Sequence, residues 1–193
     1  MLVGPSGVGK SSIIELSGFP FVPSDTSRDA RPGEQFGVDM YFRRDYARVI
    51  ADIKAGRFVQ IAPFATGDLY ATKDTSYPES GVAIMPVMAD VVPDFRDLGF
   101  QKTITAFITP PSEHEWMRRL QSHPIPPEKI AQRMAEAKRS LDFALTDAET
   151  HFILNDDLQK AATQVKNLVN GQVDRDAENL ARLAAQEMLS SIK

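Results

Sequence analysis

Gly4-Pro5-Ser6-Gly7-Val8-Gly9-Lys10-Ser11-Ser12 is the stretch that decides the fold. Glycines stand at positions 4 and 9, with a lysine and a serine directly after, the spacing of a phosphate-binding loop set between a strand and a helix. Without Cβ atoms, the glycines let successive backbone N–H groups curve around one anion. The helix that follows turns its positive end toward the same anion. Lys10 is long enough to reach the β- and γ-phosphates, and the Ser11 hydroxyl supplies an oxygen for Mg²⁺. The expected ATP contacts are therefore Gly4, Ser6, Gly7, Val8, Gly9, Lys10, Ser11 and Ser12, with Ser11 as the metal ligand. ATP as phosphoryl donor with Mg²⁺ is the cofactor pair this loop implies.

Working outward, the apolar run Met1-Leu2-Val3 ahead of the loop is a short strand, so neighbouring strands are expected to fix this edge of the site. A helix is expected to about Leu16, stopped by Gly18. Phe19 to Val22 reads as a second strand, Phe58 to Phe64 as a third, and Val82 to Val87 as a fourth despite Pro86. Thr103 to Ile108 is a β-branched run that predicts a buried strand. Helical spacing marks Asp45 to Ala55, Glu128 to Leu145 and Asp157 to Val169, and a further helix from Ala89 to Leu98 is expected to break near Pro93. Ser112 with Glu115 three residues on has capping-box spacing. Asp174 to Ile192 predicts a final amphipathic helix with Leu180, Leu183, Ala184 and Met188 on one side, able to cover the core or to pair with another chain. Strands alternating with helices argue for an α/β fold with a parallel sheet covered on both faces. Residues 24 to 77 break that alternation and read as an insert.

Bulk properties narrow the partners. The chain has 193 residues, enough to bury a full core as one domain with a small insert. It contains no cysteine, which excludes disulfides and thiolate metal sites. The net charge of −4 gives no field for nucleic acid, and Arg43, Arg44, Arg48, Lys54 and Arg57 are expected on the solvated face of the insert helix. No apolar run approaches the ~20 residues of a membrane span. With no signal-peptide pattern at the start, a cytoplasmic setting is expected. Both a monomer and a homodimer remain open.

A second signature follows the first strand pair. Ser24-Asp25-Thr26-Ser27-Arg28-Asp29-Ala30-Arg31-Pro32-Gly33-Glu34, with Gly37 three positions later, resembles the monophosphate-binding signature of the guanylate kinase family. Thr109-Pro110-Pro111-Ser112 with Arg119-Leu120, Ile130-Ala131-Gln132-Arg133-Met134 and Leu154-Asn155-Asp156-Asp157-Leu158 resemble three further elements of that family. The likeness covers about residues 1 to 170. It implies a P-loop NTPase core over 1–23 and 78–193, with a short lid at about 121–132 and an extra C-terminal helix at about 174–192. It also implies a small mixed α/β monophosphate-binding subdomain over 24–77.

Carried over by position, the resemblance implies that Ser24, Arg28 and Arg31 bind the acceptor phosphate, with Tyr70 and Thr72 beside it. Arg133 would bridge the phosphates of the two substrates, with Arg139 a second candidate on the same helix, and Asn155 would sit by the adenine. Lys10, Arg28, Arg133 and Arg139 are thus the catalytic set. The implied reaction is transfer from Mg-ATP to a nucleoside monophosphate, GMP or dGMP first. Such transfer needs alignment and charge neutralisation more than covalent help.

Four departures bear on the acceptor. The family's guanine-reading glutamate aligns with Gln60, and an amide offers one acceptor oxygen where a carboxylate offers two. The family's tyrosine aligns with Met40, and the adjacent Tyr41 could take its place. The aspartate pair at the end of a core strand reads Met85-Pro86-Val87, with Asp90 a few residues on. The lid's Arg-Gly-Thr reads His123-Pro124-Ile125-Pro126. A different monophosphate or a sugar phosphate is therefore a competing acceptor, with Asp68 or Asp74 as relocated partners if GMP is kept. A non-catalytic binding module of the same family is a third reading, opposed by the complete phosphate loop.

Overall fold

The computed structural model of the chain describes residues 1–30, 33–38, 40–42, 46–63, 67–122 and 127–192; for Tyr41, Phe42, Tyr46, Pro127 and Glu128 it describes the backbone alone. The chain opens with β1 (Leu2–Val3) and, after the glycine-rich loop, α1 (Lys10–Ser17), which Gly18 ends in the left-handed conformation. A second group of elements follows: β2 (Ser24–Thr26), β3 (Met40–Phe42), α2 (Tyr46–Lys54), β4 (Gln60–Pro63) and β5 (Leu69–Thr72). The remainder is α3 (Val92–Arg96), β6 (Thr105–Thr109), α4 (Glu113–Gln121), α5 (Pro127–Thr146), β7 (Thr150–Leu154), α6 (Leu158–Val169) and α7 (Arg175–Ser191).

β1, β6 and β7 form a parallel sheet in the order β1-β6-β7. All five residues of β6 are buried, as a central strand covered on both faces requires. The side chains divide by the pleat. Val3, Phe107 and Phe152 face Trp116 of α4, Leu141 and Ala144 of α5 and Ala185 and Met188 of α7. Leu2, Ile108 and Ile153 face Ile13 of α1 and Ala161 and Val165 of α6. This is the three-layer α/β arrangement that the alternation of strands and helices predicts.

The strands expected at 19–22 and 82–87 are reduced to single bridges. Phe21 bridges Ile84, and Pro86 bridges Leu2, both in parallel sense. The Leu2 N–H donates to Met85 O at 2.9 Å, and the Val87 N–H to Leu2 O at 2.9 Å. Pro20, Pro23 and Pro86 carry no N–H, so these segments lie along the sheet but cannot extend a ladder. As expected, the helical stretch from Ala89 divides, a 3₁₀ turn at Ala89–Val91 giving way to α3 beside Pro93. Pro93 stands in the first turn of α3, where the missing N–H has no intrahelical partner to lose.

The buried face of α7 is built mainly from small residues. Ala181, Ala185 and Met188 are buried, whereas Leu180 is 61% exposed and Leu183 55% exposed. The helix packs on β7 and α5. Alanines leave room for that close approach, and leucines there would overpack it.

The second sheet has the order β3-β2-β5-β4, and all its strands fall between residues 24 and 72. Of these strands only β4 was expected; the others are three or four residues long, too short for an alternating pattern to show. β2 is parallel to β3 and antiparallel to β5, and β4 is antiparallel to β5. The registers Gln60↔Thr72, Ala62↔Tyr70 and Thr26↔Tyr70 put Gln60, Tyr70, Thr72 and Thr26 on one face, with Ser24 two residues before Thr26. Asp25 points to the other face, where Lys73 Nζ lies 3.8 Å from it and 3.8 Å from Asp52 of α2.

Candidate active site

The loop between β1 and α1 depends on glycine at two points. Gly4 has φ +141°, and a Cβ there would lie 2.7 Å from Ile108 O. Gly9 has φ +99°, and a Cβ there would lie 2.5 Å from Asn155 Nδ2. Neither position admits a side chain without moving the loop. Gly9 is also the N-cap of α1, so no side chain caps this helix, and no acidic residue occupies its first turn. By contrast, Ser112, Asp157 and Asp174 each cap their helices with a side-chain oxygen. The positive end of α1 is thus left for an outside anion.

Four side chains brace this loop from beneath and beside it. Trp116, fully buried on α4, donates its Nε1–H to Ser6 O at 2.8 Å. Asn155, at the end of β7, donates Nδ2–H to Val8 O at 2.6 Å and its backbone N–H to Thr109 O at 2.8 Å. Arg119 Nη2 donates to Asn155 O at 3.1 Å. Arg133 of α5 donates Nη1–H to Ser6 Oγ at 2.9 Å and to Glu136 Oε2 at 2.8 Å. Lys10 Nζ folds over the loop, donating to Gly4 O at 2.5 Å and Pro5 O at 2.9 Å.

The capping-box spacing at Ser112 is half realised. The Glu115 N–H donates to Ser112 Oγ at 3.1 Å, but the Glu115 carboxylate turns to Arg118 and Arg119, both at 2.7 Å. Hydrogen bonds from Arg118 and then Arg119 hold that carboxyl at about 2, well below its ordinary value.

On the second sheet, Arg28 leads from the end of β2 onto the face that carries Tyr70. Its Nε–H donates to Tyr70 Oη at 3.1 Å, and its two terminal nitrogens grip Glu34 in a fork with 2.7 Å arms. Burial works against its charge, yet the Glu34 hydrogen bonds win and raise its pKa. Arg28 Nη2 also lies 3.3 Å from Met40 Sδ. Gln60 is 8% exposed, and its Oε1 accepts from Thr72 Oγ1 at 3.4 Å. Gln60 Nε2 is buried without a hydrogen-bond partner among the described residues.

The expected residues are not all brought to this arrangement. Arg139 is exposed on α5, six residues beyond Arg133, and only Arg133 reaches the loop. Asn155 was expected beside the adenine; its side chain is 1% exposed overall and its amide is engaged on the loop backbone. Met85 and Val87 belong to the apolar core, and Asp90 is exposed in a 3₁₀ turn at Ala89–Val91. Asp74 Oδ1 accepts from the Thr75 N–H at 2.6 Å. Arg31, the Tyr41 side chain and lid residues 123–126 lie outside the described residues. Sequence reasoning gave no role to Trp116, Glu136 or the Glu34 carboxylate. An Arg–Glu pair three apart on α5 and a lone tryptophan on a polar helix were the only signals available.

No cluster of three acidic or histidine side chains suited to a metal occurs among the described residues. The exposed Ser11 hydroxyl, in the first turn of α1, fits a magnesium ion that takes one protein oxygen and completes its shell with phosphates and water. No described helix is long and apolar enough to cross a membrane.

Comparison with known proteins follows the same line. The family model for guanylate kinase matches residues 1–172. Similar chains include the guanylate kinase of Symbiobacterium thermophilum, 31% identical with 95% of this chain and 89% of the relative covered. The guanylate kinase of Frankia casuarinae is 34% identical, with 89% of this chain and 96% of the relative covered. Among solved structures, the crystal structure of guanylate kinase from Anaplasma phagocytophilum superposes with a TM-score of 0.63 at 21% identity. That match covers 98% of this chain and 92% of the other, and supports the fold.

Proposed function

Since the chain belongs to the guanylate kinase family, we propose that it transfers the γ-phosphoryl group of Mg-ATP to GMP or dGMP. The observation that carries this reading is the pairing of two preformed anion sites. One is the uncapped positive end of α1 with its glycine loop, and the other is the Arg28 fork on the face holding Tyr70 and Thr72.

On this reading the loop N–H groups and Lys10 take the donor phosphates. Lys10 must release Gly4 O and Pro5 O to do so, exchanging two carbonyls for a phosphate oxygen. Arg133, held at Ser6 by Glu136, is poised to neutralise charge between donor and acceptor. Arg28 exchanges part of its Glu34 contact for the acceptor phosphate, with Tyr70 orienting its Nε side, and Ser24, Thr72, Tyr41 and Arg31 complete that subsite. Magnesium, held through Ser11 and the phosphates, supplies charge neutralisation when bound. Asn155, Trp116 and Arg119 keep the loop backbone in its anion-binding curve. We place the core at 1–23 and 78–193, the acceptor subdomain at 24–77, and the reaction in the cytoplasm.

Gln60 and the apolar Met85–Val87 segment favour a second reading, in which a different monophosphate or a sugar phosphate is the acceptor. The deciding experiment measures ADP release from Mg-ATP against GMP, dGMP, AMP, CMP, UMP and ribose 1,5-bisphosphate. Turnover with GMP and dGMP is expected. Turnover only with another acceptor would transfer the assignment to the second reading, and ATP binding without any turnover would leave a binding module.

A further inference from the structure

We propose that Lys73 is a positioning residue for the acceptor phosphate, acting from the back of the second sheet through Asp25 of β2 and Asp52 of α2. The inference rests on the acceptor subsite proposed above and names what holds that subsite in shape.

Side chains alternate across a strand. Tyr70 and Thr72 of β5 lie on the proposed acceptor face, so Ala71 turns to the back. Lys73 follows with an extended backbone, φ −94° and ψ 154°, and turns to the back as well. Asp25, paired with Ala71 across the ladder, lies on that same back face. Lys73 stands two residues from Ala71, a diagonal separation that a long side chain spans. Its Nζ lies 3.8 Å from Asp25 Oδ1, 3.8 Å from Asp52 Oδ2 and 5.3 Å from the centre of the Phe58 ring. One ammonium thus joins β2, β5, α2 and the segment that leads into β4.

Charge does more than apolar packing to seat α2. Among its described side chains Asp52 is the one that is buried, whereas Ile50 and Ile53 are exposed. Asp52 divides its carboxylate: Oδ1 accepts from Arg57 Nη1 at 2.8 Å, and Oδ2 faces Lys73. Asp25 and Asp52 are both buried, so solvent screens their charges little. With Lys73 made apolar, both carboxylates would remain around the place its ammonium held, and a buried ion pair with one partner removed is costly. That strain falls on β2 and β5. Their opposite face carries Thr26, which leads to Arg28, and Tyr70, which accepts from Arg28. The glycine loop is braced separately, by Trp116 and Asn155. The disturbance is therefore expected in acceptor binding and not in ATP binding.

The test is steady-state kinetics with the full chain, read as ADP release, with KM taken separately for ATP and for GMP. Lys73→Met nearly keeps the length of the side chain and removes its charge. It is expected to raise KM for GMP about tenfold and to leave KM for ATP within about twofold. Lys73→Arg, which keeps a cation between the carboxylates, should stay within about threefold of wild type. Asp52→Asn should raise the same KM, and adding it to Lys73→Met should raise it no further, because the two act through one contact. An unchanged KM for GMP in Lys73→Met, or an equal rise in both KM values, overturns the inference. If Lys73→Met does not fold, Asp52→Asn decides by the same two readouts. Where the wild-type chain phosphorylates another acceptor instead, the GMP assignment fails and the same comparison is made with that acceptor. No turnover of any acceptor by the wild type removes the subsite, and this inference with it.

Discussion

Lys10 shows how one side chain can be read from sequence for its chemistry and from structure for its contacts. Its place after Gly9 predicts a role at the donor phosphates, while the fold shows it donating to Gly4 O and Pro5 O. Replacing it by alanine frees two loop carbonyls to water and removes the charge from the site. We expect Lys10→Ala to lower kcat by about a hundredfold to a thousandfold with little change in melting temperature. Unchanged turnover, measured by ADP release, would sink the proposed mechanism. Gly9→Ala acts differently. Its Cβ meets Asn155 Nδ2 at 2.5 Å in a backbone of φ +99°, at a cost of about 1–3 kcal/mol. The expected result is weakened ATP affinity by calorimetric titration, with the Asn155–Val8 bond lost. An affinity equal to wild type would show that the loop does not need this curve.

At the scale of elements, α7 is where a hydrophobicity pattern and a packing solution part company. Leu180 and Leu183 mark one apolar side of the helix, yet Ala181 and Ala185 are the residues that touch the core. Pattern reading weights side chains by apolarity, whereas a helix set close to β7 and α5 selects by volume. We therefore expect Ala185→Leu to cost about 1–3 kcal/mol in urea unfolding. Leu183→Ser should fall within about 0.5 kcal/mol of wild type. The reverse order would mean that α7 packs through its leucines. α3 gives the same lesson for proline, whose effect depends on whether it falls in a helix's first turn or its interior. β2, β3 and β5 were illegible as strands because each is only three or four residues long, and long-range pairing makes them a sheet.

The whole molecule carries its net charge of −4 away from the question of anion binding, because recognition is local. Backbone N–H groups, Lys10 and Arg133 gather at one sheet, and Arg28 with its partners at the other. A ligand that fits only the folded loop must stabilise the chain by mass action. Mg-ATP at a hundredfold its Kd should add about 2.7 kcal/mol, a rise of roughly 5–10 °C in melting temperature for a chain of this size. No shift in differential scanning fluorimetry at saturating Mg-ATP would argue against a functional loop. The sequence by itself determined the glycine loop proposed as the donor half, because glycine spacing is a local covalent fact and the φ values it permits set the loop's curvature. It also determined the alternation that makes the main sheet parallel. Only the tertiary structure decided the face proposed for the acceptor. The face shared by Gln60, Tyr70 and Thr72 exists through strand register across β2, β4 and β5, and the loop's bracing by Trp116 and Asn155 joins residues more than a hundred positions apart. Register and burial are properties of paired strands and packed layers, so no single segment of the chain encodes them.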